Sequence, residues 1–153
     1  MTTANSTIKF SQVKNVFNFC SNVSLDDWRG VVDELDLQSE DFTVDDYRFI
    51  DSEYIDQIQQ DEISSDEYVL GCFRDWFIAD NTDIPLKAVQ ALQKAEAFSE
   101  LGEMMLDDIE QIQTEYARLD GYGHHFAHYD GNQHELNVTV DGEEKVYYVF
   151  KVN

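Results

Sequence analysis

The chain has 153 residues, 32 of them acidic and 10 basic, for a formal net charge of −22. With 42% hydrophobic and 13% aromatic residues it has the apolar content of a folded domain rather than of a disordered acidic tail. A surface this negative repels phosphate, which excludes direct binding of nucleic acid or of an anionic membrane leaflet and points to a basic partner.

No apolar run reaches the roughly 18 residues of a membrane span. The opening MTTANSTIKF also lacks the charged-then-apolar layout of a secretory signal, so a cytoplasmic protein is expected. Cys20 and Cys72 lie in apolar periodic stretches and belong to no Cys-x-x-Cys unit, so they read as two buried thiols.

Along the chain, Phe10, Val13, Phe17 and Cys20 form a helical stripe. A second helix over 25–36 opens at Ser24, with Leu25, Trp28, Val32 and Leu35 inward and Asp26, Asp27, Asp33 and Glu34 largely outward. The stretch 42–63 reads two ways: one long helix begun at Thr43 and Asp46, or a short strand at Tyr47-Arg48-Phe49-Ile50 with Ser52 capping a shorter helix. Next, Tyr68, Val69, Cys72, Phe73, Trp76 and Phe77 recur at helical spacing and predict a core helix over 68–80, capped by Ser64 or Ser65. Asn81-Thr82-Asp83 breaks it, and Pro85 begins a partner helix over 86–98 with Leu86, Val89 and Leu92 on one side. A last amphipathic helix over 99–119 sets Leu101, Met105, Ile112 and Tyr116 on one face.

After Asp120 the composition changes. Four of the seven glycines and all four histidines fall in this tail, and Asp130-Gly131 and Asp141-Gly142 are turn dipeptides between aromatic or β-branched runs. Three antiparallel strands are expected near 123–129, 133–140 and 145–151. The expected fold is therefore α+β: a single domain, 1–153, mainly helical over 1–120 and closed by a three-stranded antiparallel meander over 121–153.

The sequence contains no P-loop, Gly-x-Gly-x-x-Gly, Gly-x-Ser-x-Gly or His-Glu-x-x-His pattern. With so many carboxylates, pairs at acid/base spacing carry no information by themselves. The one local feature with coordination chemistry is the histidine cluster. On a strand, His124 and His128 share a face, and a hairpin at Asp130-Gly131 would bring His134 opposite. These three are the weak candidates for a metal, and a metal-dependent enzyme or regulator centred on 124–134 is the alternative function. Ordinary structural or pH-responsive histidines suit the pattern better, so neither a cofactor nor a catalytic residue is expected.

The acids are unevenly spread. Residues 1–24 have none, whereas 25–67 hold sixteen, eleven of them Asp, against Arg29 and Arg48. Duplex DNA presents one charge per about 1.7 Å of axis, and its binding proteins spend much of their contact surface on phosphates. A row of carboxylates on a folded face offers such proteins a decoy. The candidate row is Asp26, Asp27, Asp33, Glu34, Asp36, Glu40, Asp41, Asp45, Asp46, Asp51, Glu53, Asp56, Asp61 and Glu62. Plain solvation by acids is the competing account, and it favours a more even spread over the surface.

In size, composition and the acidic stretches 24–36 and 99–120, the chain resembles the small acidic DNA-mimic inhibitors of phages and mobile elements, of the antirestriction and anti-CRISPR types. The segment GYGHHFAHYDG at 121–131 is also similar to segments of small phage-associated proteins. The resemblance implies a non-enzymatic protein in the cytoplasm of a host cell, occupying the nucleic-acid groove of a defence nuclease or another DNA-binding protein. The oligomeric state, a homodimer included, stays open.

Overall fold

A computed structural model describes residues 35–44 and 46–153. The expected helices at 10–20 and, but for its last two residues, 25–36 lie outside the described residues, as do Asp26, Asp27, Asp33, Glu34 and Asp45. Leu35 and Asp36 are not helical. The chain divides into two compact units, one made of residues up to Ile55 together with Tyr122–Asn153, the other of Asp56–Gly121.

The first is a sheet unit. Strands β1 (Asp41–Val44), β2 (Tyr47–Asp51), β3 (His134–Val140) and β4 (Glu143–Lys151) form an antiparallel sheet in the order β1-β2-β4-β3. The three-stranded meander is thereby corrected: the short strand at 47–50 is real and pairs with the C-terminal strand, and the helices are inserted between β2 and β3. Strands β3 and β4 do form the expected hairpin at Asp141-Gly142, with both residues at positive φ as a two-residue turn requires.

One face of the sheet carries Tyr47, Phe49, Leu136, Val138, Tyr147 and Val149, packed with Leu35 and Leu37 into a buried cluster. On the other face, the last turn of helix α6 (Ile109–Phe126) lays Tyr122 on Tyr148 and Phe126 on Phe150, with ring centroids 5.8 and 5.1 Å apart. That turn replaces the strand expected at 123–129. Tyr122 and Phe126 are spaced i, i+4 and answer the i, i+2 pair Tyr148 and Phe150, so helical packing onto β4 overrides the accidental alternation of His124, Phe126 and His128.

The helical unit holds most of α1 (Ile55–Ser64), then α2 (Glu67–Gly71), α3 (Asp75–Asn81), α4 (Leu86–Lys94), α5 (Phe98–Met105), a 3₁₀ turn (Leu106–Asp108) and α6 as far as the kink at Gly121. The helix expected over 68–80 is broken in two. The side chain of Gln93 donates to Gly71 O at 2.9 Å and Phe73 O at 2.8 Å, satisfying carbonyls that the break frees. Asp66, not Ser64 or Ser65, caps α2, while both serine hydroxyls donate back to carbonyls of α1. Pro85 stands one position ahead of α4.

The core of this unit contains Ile63, Leu70, Phe77, Ile78, Val89, Leu101, Met105 and Ile112. Of the residues expected there, Tyr68 (54% exposed), Val69, Trp76 and Leu86 lie at the surface, and Cys72 is also exposed. Helices α2 and α5 cross with each glycine against the other's backbone. A Cβ on Gly71 would meet Phe98 O, and one on Gly102 would meet Glu67 O, at 1.9 and 1.8 Å.

Candidate functional site

The structure places the expected acidic row in two units rather than on one helical face. Asp36, Glu40, Asp41, Asp46, Asp51 and Glu53 belong to the sheet unit, whereas Asp56, Asp61 and Glu62 lie on α1 in the helical unit. Asp36, Glu40, Asp46 and Glu53 are exposed and able to face a partner. Asp41 is committed to the fold: Arg48 grips it with Nε at 2.9 Å and Nη2 at 2.7 Å, the geometry of a bidentate pair across β1 and β2. The Arg48 guanidinium also sits 5.1 Å above the Phe126 ring, a cation–π contact on the helix-covered face.

Asp51 departs furthest from the expected role. It is 1% exposed, its Oδ1 accepts the Glu53 N–H, and its Oδ2 lies 3.5 Å from Lys145 Nζ. Lys145 Nζ donates to Tyr147 Oη, and burial, reinforced by Asp51 and Asp36, holds that phenol's pKa well above its usual range. Asp51 thus neutralises a cation inside the sheet unit and presents nothing to a partner. In the helical unit, Asp56 Oδ1 accepts from Gln113 Nε2 at 3.0 Å, and Asp61 Oδ1 accepts from Gln57 along the same helix. Gln113 also donates to the buried Gln59 Oε1, leaving the Gln59 amide nitrogen without a hydrogen-bond partner.

The cations complete the pattern. Among the described residues the sheet unit has three Lys or Arg, and each is drawn inward: Arg48 to Asp41, Lys145 to Asp51, and Lys151, 9% exposed, with Nζ 3.7 Å from the Tyr129 ring centroid. Among the described residues, the exposed carboxylates of that unit are Asp36, Glu40, Asp46 and Glu53, joined by Asp130, Glu135, Asp141, Glu143 and Glu144. The last five were left out of the candidate row. Their local density, three acids in 141–144 around the hairpin turn, was the available signal. In the helical unit, by contrast, Arg74, Lys87, Lys94 and Arg118 remain on the surface among the acids. Arg118 donates there to both carboxylate oxygens of Glu115, at 2.9 and 3.0 Å, and lowers the pKa of that carboxyl.

The histidine hairpin is corrected along with the strand it needed. His124 is an exposed residue on α6, His128 is exposed just beyond it, and His134 opens β3 half-buried. Burial lowers the His134 pKa from its ordinary value, against an opposing pull from Asp130. At His134 burial thus outweighs the negative field, which by itself would favour the imidazolium. Among the described residues no group of three or more His, Cys, Asp or Glu is placed to hold a metal ion. Also among them, no helix is long and apolar enough to cross a membrane. An open concavity of about 320 Å³ on the helical unit is lined by Asp107, Asp108, Glu110, Gln111 and Thr114 and concentrates negative charge.

No family model, curated protein or solved structure matches the chain. The functional reading therefore rests on the charge and geometry of the surface.

Proposed function

We propose that this protein is an acidic DNA-mimic inhibitor whose sheet unit occupies the nucleic-acid-binding groove of a host defence nuclease or other DNA-binding protein. The observation that carries the reading is the inward placement of Arg48, Lys145 and Lys151, which leaves no fully exposed Lys or Arg among the described residues of that unit. A phosphate-binding groove is lined with Lys and Arg, and a face of one sign complements it along its whole length. The protein performs no chemistry in this account, and its site of action is the cytoplasm.

The test is competition. A partner captured at low salt should release labelled duplex DNA when this protein is added, and the complex should weaken steeply as salt shortens the Debye length from about 10 Å at 0.1 M. Reversing Glu40, Asp46, Glu53 and Glu144 to lysine should slow association and abolish competition. Single reversals should each cost only about 0.2–1 kcal/mol, the scale of solvated ion pairs. A partner that binds DNA and this protein together, with no mutual effect on affinity, refutes the reading.

A further inference from the structure

An ammonium group has three hydrogens, and around Lys145 the fold supplies three oxygens. Nζ donates to Leu37 O at 3.0 Å and to Tyr147 Oη at 3.2 Å, and it stands 3.5 Å from Asp51 Oδ2. Tyr147 passes its own hydroxyl hydrogen on to Ser39 O at 2.7 Å. Leu37 and Ser39 belong to a short strap, residues 35–39, that precedes β1 and contributes Leu35 and Leu37 to the core. Two carbonyls of the strap are thus gripped by side chains 108 residues later in the chain.

We propose that Lys145 and Tyr147, with Asp51 behind them, form a latch: the strap opens and closes on the sheet as a unit, and the charge on Lys145 sets how much of it is closed. The strap contributes no strand of its own, and its Ser39 N–H is used internally, on Asp36 O. Among the described residues, two leucines, this polar cage and the Ser39 hydroxyl's bonds with the Asp41 backbone hold it down, with no ladder of strand hydrogen bonds, the profile of a segment that opens ahead of the sheet. The cage depends on the ammonium because Asp51 is buried and its Oδ2 has no hydrogen bond. Neutralising the lysine leaves an unpaired buried carboxylate and frees two acceptors at once. Among the three side chains of the cage, that of Lys145 is a quarter exposed, whereas Asp51 and Tyr147 are buried.

Hydrogen–deuterium exchange on the full chain tests this. In Lys145→Met, peptides covering the strap and the Asp51 amide, which bonds to Glu40 O, should exchange about ten-fold faster or more, while peptides covering the ladder of β3 and β4 keep their rates. Tyr147→Phe removes one hydroxyl and should loosen the strap in the same selective way, which keeps the test valid if Lys145→Met fails to fold. The double variant Asp51→Asn/Lys145→Met removes both charges. It should recover the melting temperature lost in Lys145→Met while leaving the strap fast, because the Leu37 carbonyl, which Lys145 held, is still not gripped. Equal acceleration of strap and sheet in both single variants, or an unchanged strap, would overturn the proposal.

Discussion

Replacing Gly102 by alanine should destabilise the helical unit even though alanine is the better helix former. In a solvent-exposed helix interior the exchange gains about 1 kcal/mol. At the crossing of α2 and α5 the new Cβ would lie 1.8 Å from Glu67 O and 2.6 Å from its carbonyl carbon, where ordinary contact begins near 3.4 Å. The opposing atoms are backbone, so no side-chain rotation relieves the overlap and α5 must withdraw. Overpacking of this kind costs about 1–3 kcal/mol. The withdrawal also uncovers Leu101 and Met105, both fully buried. Losing a fifth of their burial, at about 2.5 kcal/mol per side chain, adds about 1 kcal/mol. The net destabilisation is then about 2 kcal/mol, which moves a urea midpoint down by about 1 M for a slope near 2 kcal/mol/M. Urea unfolding followed by far-ultraviolet circular dichroism would measure it. Gly71→Ala should act in the same direction. The double variant should cost less than the sum of the two, because one withdrawal relieves both overlaps. A midpoint equal to or above the parent's in Gly102→Ala would mean that the helices do not cross at these glycines.

Acid should act on the sheet unit through His134. Its folded pKa is lowered by burial, so its contribution to stability is intact above the unfolded value near 6.5 and is lost as pH falls through 6.5 towards the folded value. Relief of carboxylate repulsion works in the opposite direction, and comparing His134→Gln with the parent isolates the histidine. The variant should lose less stability on acidification, and a nuclear magnetic resonance titration of the His134 ring with a midpoint above 6.5 would refute the assignment. Salt should raise the melting temperature of the whole protein between about 0.01 and 0.15 M, as the Debye length falls from about 30 to 8 Å and self-repulsion at net −22 is screened. A flat or falling melting curve would show that the acids are locally compensated.

The β3–β4 hairpin was legible because it rests on a local pattern, the Asp141-Gly142 turn, whereas Tyr47-Arg48-Phe49-Ile50 read equally as a short strand or as part of a long helix and only the sheet decided between them. The place of that strand in the sheet was not legible, since its partner β4 lies about a hundred residues away and nothing local records the pairing. The strand expected at 123–129 failed for a related reason. His124, Phe126 and His128 alternate as a strand does, but Tyr122 and Phe126 also satisfy a helical period, and only the aromatic face of β4 decides between them. In the helical unit the expected phase failed at Cys72, where the break after α2 turns Tyr68 and Val69 outward and leaves Leu70, Phe77 and Ile78 to fill the core. The acidic excess was plain from composition. Which acids are free was hidden, because the commitments of Asp41 and Asp51 are made with Arg48 and Lys145 through tertiary structure.

That last distinction bears on function more than the number of acids does. Duplex DNA is negative without interruption, so a protein that imitates it must clear cations from a face as well as add carboxylates to it. A surface with eleven acids and three exposed lysines would repel a basic groove at three points, and within about 8 Å, the screening distance at physiological salt, those points would be felt individually. In the sheet unit the described cations are spent on work the fold needs anyway: Arg48 joins β1 to β2, Lys145 grips the strap, and Lys151 packs on Tyr129. Each is paired with a carboxylate or an aromatic ring, so its partial burial is compensated and its charge is offset locally. The helical unit makes no such arrangement, with Arg74, Lys87 and Lys94 standing at its surface. The two units therefore offer a basic groove different faces, and the sheet unit is the one whose described residues include no fully exposed lysine or arginine.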